Sequence, residues 1–218
     1  MQTPTFYDTL FGDMPLADWA AHGDRLEAEP WPAFAEAAKS INGGGIASAC
    51  RILRAITQLP RIETRHVLQA WSALREFHCP EARNAEKEAL GVVIEAAADD
   101  GSDGHDILAV YADRTALYLD HSGAVTQWAR PDASLDEEIA AVLDAATAIL
   151  PQIGPWSGKR RPPPLKGNVR LDILTPIGLC FGEGPFAAIA RDPNGGPLVK
   201  AGAILVKRLE RLPAATVN

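Results

Sequence analysis

The stretch Leu90-Gly91-Val92-Val93-Ile94-Glu95-Ala96 decides how this chain is read. Leu90, Val92, Ile94 and Ala96 alternate with Gly91, Val93 and Glu95, a period of two that suits a strand. The alternation continues downstream. Ile107 to Tyr111 and Thr115 to Leu119 are β-rich runs joined by Ala112-Asp113-Arg114, a hairpin-length connection. His121-Ser122-Gly123 makes the next turn, and Val125 to Trp128 supplies a fourth strand. Four consecutive strands with short turns predict an antiparallel meander, because parallel neighbours need a long crossover.

Upstream of Leu90 the apolar residues recur at helical spacing instead. Phe6, Tyr7, Leu10, Phe11, Leu16 and Trp19 are too many large apolar groups for a disordered tail, so residues 1–29 should pack as an arm on the body. Helices are expected near Leu16 to His22 and from Pro32 to Ser40, where proline suits a first turn. Ile46, Ala49, Cys50, Leu53 and Ile56 mark a third, and Val67, Trp71, Leu74 and Phe77 a fourth over Ile62 to Phe77.

Downstream, Ser134 with Glu137 three residues on predicts a capping box. It opens a helix whose Leu135, Ile139, Val142, Leu143, Ala146, Ile149 and Leu150 form a stripe wide enough to cover a sheet face. Val169, Leu171 and Ile173 alternate as one strand, and Ile177, Leu179 and Phe181 as another. A last helix is expected over Leu198 to Leu212, with Pro197 at its first position. The fold class is therefore α+β. A helical region, residues 1–84, packs on an α+β domain, residues 85–218, with order ββββ-α-ββ-α and two helices covering an antiparallel sheet.

The 218 residues carry a net charge of −7, distributed unevenly. Residues 1–80 sum to −2, residues 81–157 to −11 and residues 158–218 to +6. Such polarity can steer a charged partner or neutralise locally between neighbouring segments, and the second is the expectation. No run approaches the ~18 apolar residues of a membrane span, and Met1 to Phe11 has no signal-peptide pattern. Three cysteines without C-x-x-C spacing argue against a disulfide scaffold and a structural zinc site. A soluble, cytoplasmic protein without cofactor or metal is the expectation.

Chemically suggestive motifs lose specificity when tested. Gly43-Gly44-Gly45 precedes a helix but lacks the Lys-Ser or Lys-Thr of a phosphate loop and follows no strand. The loop from Asp99 to Asp106 resembles a calcium loop, but aligned from Asp99 the third position is Gly101 and the twelfth is Val110, where ligands are needed. His105-Asp106 and Asp120-His121 read as turn formers at strand ends, with no G-x-S-x-G elbow beside them. Cys50 falls on an apolar helix stripe, Cys79 closes a helix, and Cys180 lies between Gly178 and Gly182 on one strand face. The basic proline stretch Lys159-Arg160-Arg161-Pro162-Pro163-Pro164 reads as a stiff connector.

Three stretches carry a resemblance. They are Thr64-Arg65-His66-Val67-Leu68-Gln69-Ala70-Trp71, then Tyr111-Ala112-Asp113 through Tyr118 to His121-Ser122-Gly123, and Leu174-Thr175-Pro176-Ile177-Gly178 through Phe181-Gly182-Glu183-Gly184-Pro185. Together they resemble a bacterial protein family without assigned activity, over about the last two-thirds of the chain. The element order also resembles roadblock- and profilin-like modules, which act as binding scaffolds, with a different strand count.

Two functional expectations follow. The first is a non-enzymatic bacterial interaction or scaffold protein, whose contact surface is the loop from Trp156 to Gly167 with Lys159, Arg160 and Arg161 presented to an acidic protein partner. Trp156 should anchor that loop on the end of the preceding helix, leaving the three charges free. Nucleic acid is not favoured, because the strands are acidic and lack stacking aromatics. The second is a small enzyme of unknown substrate with a site assembled near His121, Asp113 and Cys180.

Overall fold

The change of period at Leu90 coincides with a change of architecture. A computed structural model describes residues 6–23, 28–97 and 104–212. The chain divides into a helical unit, residues 1–87 with Pro176–Gly178, and a sheet unit, residues 88–175 and 179–218.

In the helical unit, α1 (Leu16–His22), α2 (Trp31–Asn42), α3 (Ile46–Ile56) and α4 (Thr64–Glu76) follow the apolar spacing closely. Leu10, Phe11 and Met14 of the N-terminal arm are buried. Gln69, fully buried on α4, pins that arm by accepting from the Met14 amide at 3.1 Å and donating to its carbonyl at 2.6 Å. Gly12 has φ +58°, and a Cβ there would meet Leu68 Cβ at 2.6 Å, so the arm's turn against α4 requires glycine. Trp19, Trp31, Phe34 and His66 form one aromatic cluster, with Trp31 and His66 edge-to-face at 4.8 Å between centroids.

Cys50 and Cys79 are joined as a disulfide. The expectation against one is corrected here: Cα atoms 5.7 Å apart lie within bonding reach. The sequence hid the pair because the two lie 29 positions apart, with no signature spacing.

In the sheet unit, β1 (Gly91–Ala97), β2 (His105–Tyr111), β3 (Ala116–Leu119) and β4 (Val125–Trp128) form the expected meander. After α5 (Asp136–Ile149) and a long connection, β5 (Asn168–Thr175) returns to pair antiparallel with β1, and β6 (Gly178–Pro185) closes the edge. The order is β4-β3-β2-β1-β5-β6. A four-residue α6 (Phe186–Ile189) precedes α7 (Gly195–Leu209). Val92, Leu108, Val110, Val169, Leu171, Ile173 and Cys180 point to the face packed by α5 and α7. A Cβ on Gly202 of α7 would meet Ile94 Cδ1 at 2.6 Å, which is how closely that helix lies on β1.

Two helix starts differ from the reading. The Ser134–Glu137 capping box does not form: α5 begins at Asp136, and the Ser134 amide instead donates to Asp132 Oδ1 at 2.8 Å. Helix α7 begins at Gly195, two residues early, because Asp192 Oδ1 accepts from the Asn194 and Gly195 amides. Pro197 is therefore third in the helix. No helix among the described residues is long and apolar enough to cross a membrane.

Candidate functional site

Alternation along β5 sends Val169, Leu171 and Ile173 toward the helices and Arg170 and Asp172 to the opposite face. There Arg170 lies directly across from Glu95 of β1, and Asp172 across from Val93. Arg170 is 2% exposed. Its guanidinium donates to Glu183 Oε2 through Nε (3.1 Å) and Nη2 (2.9 Å), and to Glu95 Oε1 through Nη1 (3.4 Å). It also donates to two carbonyls of the connection after α5, Arg161 O at 3.1 Å and Pro162 O at 2.6 Å. The ring of Phe181 lies beneath it, 5.8 Å from Cζ. One buried arginine thus satisfies two carboxylates and two main-chain acceptors, which a planar fork of five donors can do.

The connection from Trp156 to Gly167 is held along this face rather than hanging free. The Trp156 amide donates to Leu179 O of β6 (2.6 Å), and its indole Nε1 donates to Lys159 O (3.0 Å). The indole packs edge-to-face on Phe181 of β6 at 5.4 Å, where the sequence had placed it against the end of α5. His105 of β2 donates from Nε2 to Pro164 O at 3.0 Å, and Pro164 is buried. Prolines cannot supply donors, so their carbonyls are met by side chains from the sheet.

Lys159 is exposed, Arg160 is half-buried, and the Arg161 side chain is 54% exposed while approaching Glu183 at 3.5 Å. The three are not equivalent. Lys159 points outward, whereas Arg160 and Arg161 also face the acids beneath the loop. Trp156 is 46% exposed and Leu165 76%.

The acids differ in their surroundings. Asp172 is 1% exposed, and among the described residues no N–H donor meets either of its oxygens. Burial, reinforced by the charge of Glu95 and by a hydrogen bond shared with it, pushes the Asp172 carboxyl well above the usual range, and Arg170 and Arg160 offset this only in part. Around it Glu95 and Glu183 each meet Arg170, and Glu183 also meets Arg161, so the ion pairs of this cluster share partners. Nothing in the sequence separates Glu95, Arg170 and Asp172 from a solvated strand face, since they alternate with apolar residues as exposed charges do.

The residues of the alternative site are not gathered. Asp113 lies in the β2–β3 turn, where its Oδ1 accepts from the Thr115 amide and hydroxyl. His121 lies in the β3–β4 turn, at the other end of β3, with its amide and Nδ1 on Asp106 Oδ1 at 2.9 and 3.1 Å. Cys180 is fully buried on β6, four strand spacings or roughly 19 Å from β3. Sequence gave each a plausible chemistry, and the topology separates them. Asp120 is a turn former, its Oδ1 accepting from Ser122 and Ala124, and the Ser122 hydroxyl foremost holds its pKa down. Residues 99–103 of the acidic loop lie outside the described residues, and Gly43–Gly45 is an exposed turn between α2 and α3.

A groove of about 340 Å³ between α7 and the sheet is lined by Ile94, Leu108, Val199 and Val206, with Asp106, Tyr118 and Glu210 at its polar side. Burial first, then the charges of Asp106 and Glu210, hold the Tyr118 hydroxyl protonated far above neutral pH. It can donate a hydrogen bond there but not act as a base.

Comparison with protein-family models, curated proteins and solved structures finds no match to this chain.

Proposed function

We infer that this protein is a binding module without catalytic chemistry of its own, and that it takes an acidic protein partner on the face of the Trp156–Gly167 loop. The observation that carries this reading is the anchoring of the loop: Arg170, His105 and the Trp156 amide hold its backbone, while Trp156, Lys159, Arg161 and Leu165 stay exposed. A prearranged loop loses little entropy on binding, and tryptophan and arginine are the side chains that most often dominate interfaces. The +6 balance of residues 158–218 favours an acidic partner.

The test is isolation of the protein at native expression level and low salt. A stable heteromeric complex is expected, weakened by salt and lost in the Lys159→Ala/Arg160→Ala/Arg161→Ala variant, whose folding is checked by circular dichroism. A monomer under those conditions overturns the reading. So does a complex unaffected by the triple substitution.

A further inference from the structure

Cys50 lies in α3, and Cys79 immediately precedes a single 3-10 turn, Pro80–Asn84, whose second residue is Glu81. Both cysteines are buried. A carboxylate oxygen of Glu81 and the two sulfurs lie within 4.8 Å of one another. Glu81 Oε2 is buried, with no hydrogen-bond partner among the described residues. A disulfide has no proton to donate, so the oxidised pair cannot satisfy that oxygen. A buried acceptor left in this way can be met by a cation held between it and the two sulfurs.

We propose that Cys50, Cys79 and Glu81 form a thiol-dependent site for a thiophilic divalent cation of the zinc and cadmium class, filled when the disulfide is reduced. Two molecules of a low-molecular-weight thiol carry out the reduction by exchange through a mixed disulfide. They leave as their own disulfide, and Cys50 and Cys79 take up two electrons and two protons. The cation then displaces both protons to solvent and binds two thiolates and one carboxylate. These are ligand types zinc accepts, with three protein ligands and a fourth position for water. At a zinc–sulfur distance of about 2.3 Å, tetrahedral geometry sets the sulfurs roughly 3.8 Å apart, so the site and the disulfide exclude each other. Half-burial of Glu81 leaves a route for the ion to enter. The pair therefore alternates between a covalent cross-link and a metal cross-link at the same place in the helical unit.

The experiment is cadmium titration of the full chain, reduced by a phosphine that is then removed under anaerobic conditions. Thiolate-to-cadmium charge-transfer absorbance should saturate at one cadmium per chain with the intensity of two thiolates. The oxidised chain and the Cys50→Ser/Cys79→Ser variant should show none. Glu81→Gln keeps the disulfide for purification and should bind at least tenfold more weakly after reduction. Thermal melting gives a second readout that holds even if the reduced metal-free chain is unfolded: cadmium should raise the transition of the reduced wild type more than that of reduced Glu81→Gln. Absence of the charge-transfer band in the reduced chain overturns the proposal. Equal affinity and equal melting shift in Glu81→Gln overturn it as well.

Discussion

Arg170 and Glu95 face each other across the β1–β5 ladder, with Nη1 and Oε1 3.4 Å apart and the side chains 3% and 0% exposed. The pair sits where two strands distant in sequence meet. It joins the core of the sheet to the loop above it, because the same guanidinium holds Arg161 O and Pro162 O.

Arg170→Met should therefore be severe. It removes the guanidinium that pairs with Glu95 and Glu183 and orphans two loop carbonyls, a class of change that costs about 3–5 kcal/mol. Urea denaturation followed by circular dichroism measures it. A loss under about 1 kcal/mol would show that the cluster contributes little to holding the sheet and loop together.

Asp172 gives a pH dependence of definite sign. Its folded-state pKa is raised above the ordinary 3.8 by burial, so the folded chain holds this proton more tightly than the unfolded one. The resulting stabilisation is complete below pH 3.8 and is lost as pH rises through the folded value. Asp172→Asn mimics the protonated form. It should be near neutral at low pH, more stable than wild type at high pH, and flatter in a plot of unfolding free energy against pH. Parallel curves for the two proteins would contradict this.

Gly202 tests the closeness of α7 to the sheet. A helix interior gains about 1 kcal/mol from Gly→Ala by propensity, but the new Cβ would meet Ile94 Cδ1 at 2.6 Å. Gly202→Val, which overfills the site, should cost about 1–3 kcal/mol. The added substitution Ile94→Val removes the offending methyl and should recover part of that loss, giving a favourable coupling in a double-mutant cycle. Strict additivity would mean that another contact is responsible.

The disulfide closes a loop with a sequence separation of 29. By chain entropy its reduction should destabilise the helical unit by about 3–4 kcal/mol. Denaturation with and without reductant, in a metal chelator, measures the difference. The Cys50→Ala/Cys79→Ala variant should match the reduced wild type more closely than the oxidised one.

Local pattern alone was enough for most of the elements. The period of two from Leu90 and the short turns at Ala112–Arg114 and His121–Gly123 determine the meander, because adjacent strands joined by tight turns have only one simple way to pair. Apolar spacing likewise placed α1 to α4, α5 and most of α7. The two helix starts went astray at Asp132 and Asp192, where an aspartate binding amides two or three residues on overruled the signals from Ser134 and Pro197. Only tertiary structure set β5 beside β1, brought Cys50 to Cys79, and separated His121, Asp113 and Cys180. It also decided that Glu95, Arg170 and Asp172 are buried, although their alternation is that of a wet strand face. The physical reason is common to all of these. Periodicity tells which residues share a face, but what covers that face depends on contacts between segments far apart in the chain, and no local spacing encodes them.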